Sequence, residues 1–187
     1  MTNFPIQIAD SVLVVVDVQD RLLAKMPSAD ALVHSVAFLI DVADALGVPV
    51  RATEQYPKGL GPTTPEIARR LQEPVRAKTA FSCCGAAGFV DELKSSGRTT
   101  AVLVGMEAHV CVVQTAFDLV EHGVRVVLPV DAIASRHEDD KGVAVRRLER
   151  AGVVTTTAEA LAFDWMRDAT HPAFKAVSRL VIDRPRN

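Results

Sequence analysis

Residues 12–17 read VLVVVD, a run of five apolar side chains, four of them valines, followed by an acid. A continuous β-branched run of this length is typical of a strand that is buried on both faces of a parallel sheet. Residues 29–46 then place apolar side chains at helical spacing, and Gly47 is the residue type that ends helices. The first quarter of the chain therefore predicts a buried strand followed by an amphipathic helix.

The same alternation of strand and helix continues through nearly the whole chain. It predicts strands at 48–53, 75–81, 99–104, 124–130 and 153–156, helices after Pro65 and at 89–95, 110–122, 139–151, 157–167 and 172–182, and a loop at 56–65. A basic tail, Arg184 and Arg186, follows. Pro129 indicates that its strand turns outward or carries an unpaired amide there. The class is α/β, with right-handed crossovers, a mainly parallel sheet and one domain over residues 1–187.

Composition and charge limit the partners. The chain has 187 residues, and its 21 Lys and Arg against 23 Asp and Glu give a net charge of −2. This near-balance argues against nucleic acid or an anionic membrane surface as the main partner and favours a small-molecule substrate. The N-terminal residues lack the pattern of a signal peptide, and three cysteines without a CxxC pair indicate reduced thiols. We therefore expect a cytoplasmic protein.

Three chemically useful side chains fall at the carboxyl ends of predicted strands, where ligands of parallel sheets bind. Asp17 ends the first strand, Lys78 lies in the third, and Cys111 lies in the first turn of the helix after residue 104. An acid, an ammonium and a thiol suffice for acyl transfer. A helix N-terminus and an ammonium both stabilise the thiolate, and the carboxylate accepts and returns the thiol proton. Alternatively, Asp17 caps a helix, Lys78 is a surface lysine and Cys111 fills the core.

These residues lie in segments that resemble the isochorismatase-like cysteine hydrolases. The segments are VVVDVQDRL (14–22), TEQYPKGLGPT (53–63), RAKTAFS (76–82), GMEAHVCVVQTAFDL (105–119), VDAIASR (130–136) and THPAFK (170–175). The resemblance is to the isochorismatase domain-containing branch without a metal site. It implies a three-layer Rossmann-like sandwich with a six-stranded sheet, hydrolysis through a thioester, no cofactor, and a homo-oligomer, either a dimer or a tetramer.

Two departures from the wider family narrow the chemistry. Metal-bearing nicotinamidases carry a D-x-H-x-x-x-H site after the second strand, where this chain reads TEQYPKG (53–59) without a histidine. A metal site is therefore not expected. True isochorismatases lack the nucleophilic cysteine that Cys111 matches, which disfavours vinyl-ether hydrolysis.

The resemblance also implies roles for the matched residues. Cys111 is the nucleophile, Asp17 accepts and returns its proton, and Lys78 holds both electrostatically. It further implies a cis peptide between Met106 and Glu107, with the N–H groups of Glu107 and Cys111 forming an oxyanion hole.

The pocket and the overall activity are less sharply defined by the sequence. We expect Gln55, Tyr56 and Phe81 to line the pocket. His109 lies two residues before Cys111, so on a regular helix the two side chains point apart, and a Cys111–His109 dyad requires an irregular turn. The predicted activity is metal-independent cleavage of a C–N bond in a small amide or ureido compound. The alternatives are a catalytically silent isochorismatase-fold module that binds or oligomerises, and an isochorismate-type vinyl-ether hydrolase.

Overall fold

The computed structural model describes residues 5–185 and contains one mainly parallel sheet. Its strands are β1 (Ser11–Val16), β2 (Val50–Gln55), β3 (Arg76–Lys78), β4 (Thr100–Met106), β5 (Arg125–Pro129), β6 (Ile133–Ala134) and β7 (Val154–Thr156). Six of them follow the order β3-β2-β1-β4-β5-β7, all neighbours parallel, while the two-residue β6 pairs with the end of β4. The predicted α/β class and sheet are confirmed.

Helices cover both faces of this sheet. They are α1 (Asp20–Leu23), α2 (Ala29–Leu46), α3 (Pro57–Leu60), α4 (Pro65–Ala68), α5 (Phe89–Ser95), α6 (Val113–Glu121), α7 (Glu138–Arg150), α8 (Ala158–Met166) and α9 (Phe174–Asp183). Buried residues of α2, α8 and α9 form one apolar cluster, and those of α5, α6 and α7 form another. The result is the predicted three-layer sandwich.

Strand β1 shows why the valine run is continuous. Leu13 and Val15 join the cluster on the α2 side, whereas Val12, Val14 and Val16 join the cluster on the opposite side. Successive side chains of a strand point to opposite faces, so a strand covered on both faces needs apolar residues at every position. β1 is buried throughout and fixes the centre of the sheet.

The edges of the second and third strands differ from the prediction. β2 starts at Val50 rather than at residue 48, because Pro49 has no N–H to pair and contributes only a carbonyl, which accepts from Leu13. β3 ends at Lys78 rather than at residue 81. The chain turns there, so that the Phe81 carbonyl accepts a hydrogen bond from the Lys78 ammonium at 2.9 Å and the Ala80 carbonyl lies 3.3 Å from it.

Several short elements were not predicted. The expected loop at 56–65 contains the helical turn α3, which Pro57 starts at a position that needs no N–H. α1 and β6 were missed, since four and two residues are too few for a periodic signal. The helix expected at 110–122 begins instead with a π-helical turn, Ala108–Val112, before α6. Pro129, expected inside a strand over residues 124–130, is instead the last residue of β5.

The C-terminal part packs onto the sandwich. Arg184, predicted in a basic tail, donates to Ser35 and to the carboxylate of Asp131, which lies 2.7 Å away, whereas Arg186 lies outside the described residues. Trp165 of α8 is buried and donates to the Ser11 hydroxyl at 3.0 Å. Among residues 5–185, none of the helices has the length and apolar character that crossing a membrane requires.

Candidate active site

The candidate site lies where the strand order reverses. β1 and β4 are neighbours, but the chain runs from β1 towards β2 and β3 and from β4 towards β5 and β7. Loops leaving the two strands therefore diverge and open a crevice at the carboxyl edge of the sheet. Asp17 directly follows β1, and Cys111 lies in the π-helical turn directly after β4.

Asp17 is fully buried and held from two sides. Its φ of 53° directs the chain out of β1, and its N–H donates to the Thr53 carbonyl at 3.2 Å. Its carboxylate accepts from the Thr53 hydroxyl at 2.8 Å and from the Lys78 ammonium at 2.6 Å. A buried carboxylate requires such partners, because desolvation otherwise penalises the charged form.

Lys78 reaches Asp17 from β3, two strands away. Its ammonium donates to Asp17 Oδ2, to Gln55 Oε1 at 2.7 Å and to the Phe81 carbonyl at 2.9 Å, with the Ala80 carbonyl 3.3 Å away. An ammonium has three protons, and three short bonds use them. Lys78 is therefore committed to holding the site and has no proton to spare for a developing oxyanion.

Cys111 is buried, and its environment favours the neutral thiol. Burial, followed by the charge of Asp17, raises the pKa of Cys111 from 9.0 to about 12, while the charge of Lys78 lowers it by less. The Lys78 ammonium thus favours the thiolate, as expected, but burial and the charge of Asp17 outweigh its effect on the pKa of Cys111. The thiol must lose its proton during attack, and a neighbouring carboxylate can accept that proton.

A second layer of polar side chains supports these three residues, and sequence reasoning missed it. The Thr115 hydroxyl donates to the Cys111 carbonyl at 2.7 Å and accepts from the Cys83 N–H at 2.9 Å. Cys83 Sγ lies 3.4 Å from the same Thr53 hydroxyl that bonds Asp17. A threonine in a strand resembles any β-branched residue, so only the register of β2 against β1, which pairs Thr53 with Val16, reveals its position.

The backbone before Cys111 is tightly constrained. Gly105 has a φ of 112°, and a Cβ at this position would overlap the carbonyl of Val16 in the neighbouring strand, so only glycine fits. The peptide bond between Met106 and Glu107 is cis, which confirms that prediction. The oxyanion hole assigned to Glu107 and Cys111 stays a prediction.

His109 is held by polar partners other than Cys111. Its Nδ1 lies 2.9 Å from the Ser135 hydroxyl, and its two ring nitrogens lie 3.8 Å and 3.9 Å from the carboxylates of Glu107 and Asp140. Glu107 also accepts from Arg136 at 3.0 Å. The turn is irregular, as a Cys111–His109 dyad requires, yet His109 bonds Ser135 instead.

The three expected pocket residues have different positions. Gln55 is half-buried, and its Oε1 lies 4.0 Å from Cys111 Sγ. Tyr56 and Phe81 are each 52% exposed. Both lie next to Lys78 through their backbones, since the Tyr56 N–H donates to the Lys78 carbonyl at 2.8 Å and the Phe81 carbonyl accepts from the Lys78 ammonium. Gln55 is thus inside the site, and the two aromatic side chains are at its rim.

Glu54, near the end of β2, ties this strand to the loop that follows it. Glu54 accepts from the backbone and hydroxyl of Thr63 at 2.6 and 2.8 Å. Within residues 5–185, His, Cys, Asp and Glu side chains form no group of three or more that could hold a metal ion.

Comparison with known proteins identifies the family. The model of the isochorismatase domain matches residues 11–160, which include Asp17, Lys78 and Cys111. The chain belongs to the isochorismatase family. Human isochorismatase domain-containing protein 2 is 38% identical over 172 residues, which cover 91% of this chain and 82% of the human protein.

Solved structures agree with this assignment. A protein named MAR1 ribonuclease from Caenorhabditis elegans superposes with a TM-score of 0.92 and 38% identity, covering 98% of this chain and 95% of that one. The YcaC gene product of Escherichia coli, described as an octameric hydrolase of unknown specificity, has a TM-score of 0.91 and 24% identity, covering 98% and 92%. The fold and family are those of isochorismatase-like hydrolases.

Proposed function

We propose that this protein is a metal-independent cysteine hydrolase that cleaves the C–N bond of a small amide or ureido compound, with Cys111 as nucleophile. The observation that carries the proposal is the fully buried Asp17–Lys78 pair beside a buried thiol at the switch point of the sheet. Burying an ion pair is costly, because both charges lose their hydration, and such a pair often adds no stability over an apolar replacement. A carboxylate beside a protonated thiol is the arrangement that base-assisted attack requires.

The first half-reaction forms the thioester. Cys111 Sγ attacks the carbonyl carbon while its proton passes to the Asp17 carboxylate, and the carbonyl π electrons move onto oxygen. The N–H groups of Glu107 and Cys111 stabilise this oxyanion. As the oxyanion collapses, the C–N bond breaks, the nitrogen takes the proton from Asp17, and ammonia or an amine leaves.

The second half-reaction returns the enzyme to its resting state. Asp17 takes a proton from a water molecule, whose oxygen attacks the thioester carbon. The C–S bond then breaks, the sulfur recovers the proton from Asp17, and the acid product leaves. Throughout both steps Lys78 keeps its three hydrogen bonds and stabilises the carboxylate form of Asp17.

A substrate panel tests this proposal. Wild-type protein is incubated with primary amides and ureides, and ammonia release is measured against Cys111→Ala. We expect release that depends on Cys111 and survives in Cys84→Ala, a matched control at a half-buried cysteine whose N–H bonds only the local Ser82 hydroxyl. Release of equal rate in Cys111→Ala would contradict the proposal. Cleavage of an RNA substrate in place of amides would assign this chain the activity that the Caenorhabditis elegans protein is named for.

One observation favours the alternative of a silent binding module. Burial and Asp17 raise the pKa of Cys111 to about 12, so the resting thiol is protonated and intrinsically unreactive. Labelling by 2-chloroacetamide at pH 7.5 separates the two functions. If the protein is an enzyme, the reagent alkylates Cys111 faster than Cys84, because Asp17 accepts the thiol proton of Cys111. If it is a silent module, the reagent alkylates Cys111 more slowly than Cys84.

We further propose that the protein is a cytoplasmic homo-oligomer. The octamer described for the Escherichia coli structure and the family resemblance both support assembly of identical chains. Light scattering after size-exclusion chromatography tests this, and a mass near 20.1 kDa at micromolar concentration would contradict it.

A further inference from the structure

The side-chain amide of Gln55 is fixed in one orientation beside the nucleophile. Its Nε2 donates to the Thr79 carbonyl at 2.8 Å, and its Oε1 accepts from the Lys78 ammonium at 2.7 Å. Turning the amide over would place the NH₂ group against the ammonium and the oxygen against a carbonyl. Both contacts would then be repulsive, since an ammonium only donates and a carbonyl only accepts. The oxygen of Gln55 therefore faces the site.

The backbone of Gln55 is held just as firmly. The side chain of Gln19, which is fully buried, accepts from the Gln55 N–H at 2.8 Å and donates to the Gln55 carbonyl at 3.1 Å. It also donates to the Gly61 carbonyl at 2.6 Å, which joins the loop after β2 to the same point. Neither the backbone nor the side chain of Gln55 needs to reorganise when a substrate arrives.

The fixed oxygen of Gln55 can accept a further hydrogen bond once the thiol has lost its proton. A carbonyl oxygen accepts two hydrogen bonds, and Gln55 Oε1 accepts one from Lys78 at 2.7 Å and a long, weak one from the Cys111 thiol at 4.0 Å. The second bond ends when the thiol proton passes to Asp17. Gln55 Oε1 lies 4.0 Å from Cys111 Sγ, which is close enough for a group bonded to the attacked carbon to reach it. The Asp17 carboxylate already accepts from Thr53 and Lys78 and must also take the thiol proton.

We infer that Gln55 Oε1 accepts an N–H of the scissile amide and makes the site selective for substrates with an N–H on the departing nitrogen, which means primary carboxamides and ureides. This inference rests on the proposed function. An acceptor that the bound substrate shields from water disfavours a group that cannot donate, because its lone pair is then left without a partner. Esters and N,N-dialkyl amides therefore bind and react poorly, although their carbonyl carbon is equally accessible.

Two alkylating reagents test the selectivity without requiring turnover. The reagents are 2-chloroacetamide and 2-chloro-N,N-dimethylacetamide, in which two methyl groups replace the N–H hydrogens, and the Gln55→Met variant separates the effect of the lost N–H groups from that of the added bulk. In both reactions Cys111 Sγ bonds to the CH₂ carbon, the C–Cl bond breaks, chloride leaves and the thiol proton passes through Asp17 to solvent. Rates at Cys111 are measured by peptide mass spectrometry and divided by the rates with N-acetylcysteine. The ratio of the two normalised rates is the N–H preference.

We expect an N–H preference above one in the wild type and a fall of about 2- to 10-fold in Gln55→Met, the range that loss of one neutral hydrogen bond produces. Gln55→Glu, which keeps an acceptor oxygen, retains the preference. Gln72→Met, the same change at a glutamine that bonds Asp44 away from the site, matches the wild type.

The outcomes separate this inference from the proposed function. Efficient alkylation of Cys111 with an unchanged preference in Gln55→Met overturns the role of Gln55 and leaves the nucleophile intact. A wild-type preference of one or less overturns it as well, whether or not Gln55→Met folds. Failure of both reagents to alkylate Cys111 overturns the assignment of the nucleophile and this inference with it.

Discussion

Lys78→Met removes the ammonium of the buried ion pair and keeps a side chain of similar length. In the native protein Nζ lies 2.6 Å from Asp17 Oδ2, and both side chains are 0% exposed. The substitution leaves a carboxylate in a dry site with the Thr53 hydroxyl as its remaining side-chain partner among the hydrogen bonds described above. It also removes the donor that satisfies Gln55 Oε1 and the Phe81 carbonyl.

The magnitude follows from this burial. Removing one partner of a buried pair costs about 3–5 kcal/mol, because the other charge is left uncompensated. Since 1 kcal/mol shifts the Tm of a domain of this size by about 2–4 °C, we expect a Tm lower by about 6–20 °C. Lys94→Met, at an exposed lysine of α5, is the matched control and should stay within about 0.5 kcal/mol of the wild type.

Thermal unfolding followed by circular dichroism at pH 7 measures these shifts. The double variant Asp17→Asn/Lys78→Met removes both charges, and we expect it to be more stable than Lys78→Met alone, because no uncompensated charge remains. A Tm for Lys78→Met within 2 °C of the Lys94→Met control would refute the reasoning. So would a double variant whose losses are simply additive, since additivity means that the two side chains do not interact.

Three further predictions concern the chemistry of the site. Asp17→Asn should keep the fold and lower kcat/KM for amide hydrolysis by at least about 10²–10⁴, as expected for loss of a general base, and near-normal turnover would exclude that role. Activity should survive exhaustive EDTA treatment, because residues 53–59 offer no histidine ligand, and restoration of a lost activity by Zn²⁺ or Mn²⁺ would show the opposite. Thiolate absorbance at 240 nm, taken as the difference from Cys111→Ala, should stay flat up to pH 9, because the pKa of Cys111 is raised from 9.0 to about 12. Between pH 9 and 12 the folded state keeps a proton that the unfolded state loses, so the contribution of Cys111 to stability is present below pH 9 and is lost as the pH rises towards 12. A thiolate absorbance midpoint below pH 8 would contradict the raised pKa.

The apolar pattern predicted the framework of the fold because it records burial directly. The valines of β1 and the helical spacing of α2 gave the correct element types, and α2 has the predicted bounds. Strand ends were less accurate, since hydrogen bonds to distant groups decide them. β3 stops at Lys78 because its ammonium draws the following carbonyls around it, and no local signal in the sequence reports that bond.

The sequence predicted which residues form the candidate site, but it did not predict their burial, their hydrogen-bond partners or the protonation state of the thiol. Asp17, Lys78 and Cys111 lie at the carboxyl ends of strands, and topology alone brings such residues to one edge. The state of the thiol depends on how deeply it is buried and on which charge is nearer, and both quantities arise from packing. Thr53 and Thr115 were missed for the same reason, because their hydroxyls matter only through the register and the turn that place them.

The charges of the resting site indicate what kind of molecule it can accept. The Asp17 carboxylate and the Lys78 ammonium neutralise each other, and the Cys111 thiol is protonated. The ammonium already donates hydrogen bonds to Asp17, Gln55 and the Phe81 carbonyl, so it has no N–H left to bind an anionic group of a substrate. A dianion such as isochorismate would bring two carboxylates to a site whose cation is already paired, whereas a neutral carboxamide brings N–H groups to an acceptor that is already in place. The electrostatics and the geometry of Gln55 therefore favour the same proposed class of substrate, and the hydrogen bond between Lys78 and Gln55 contributes to both.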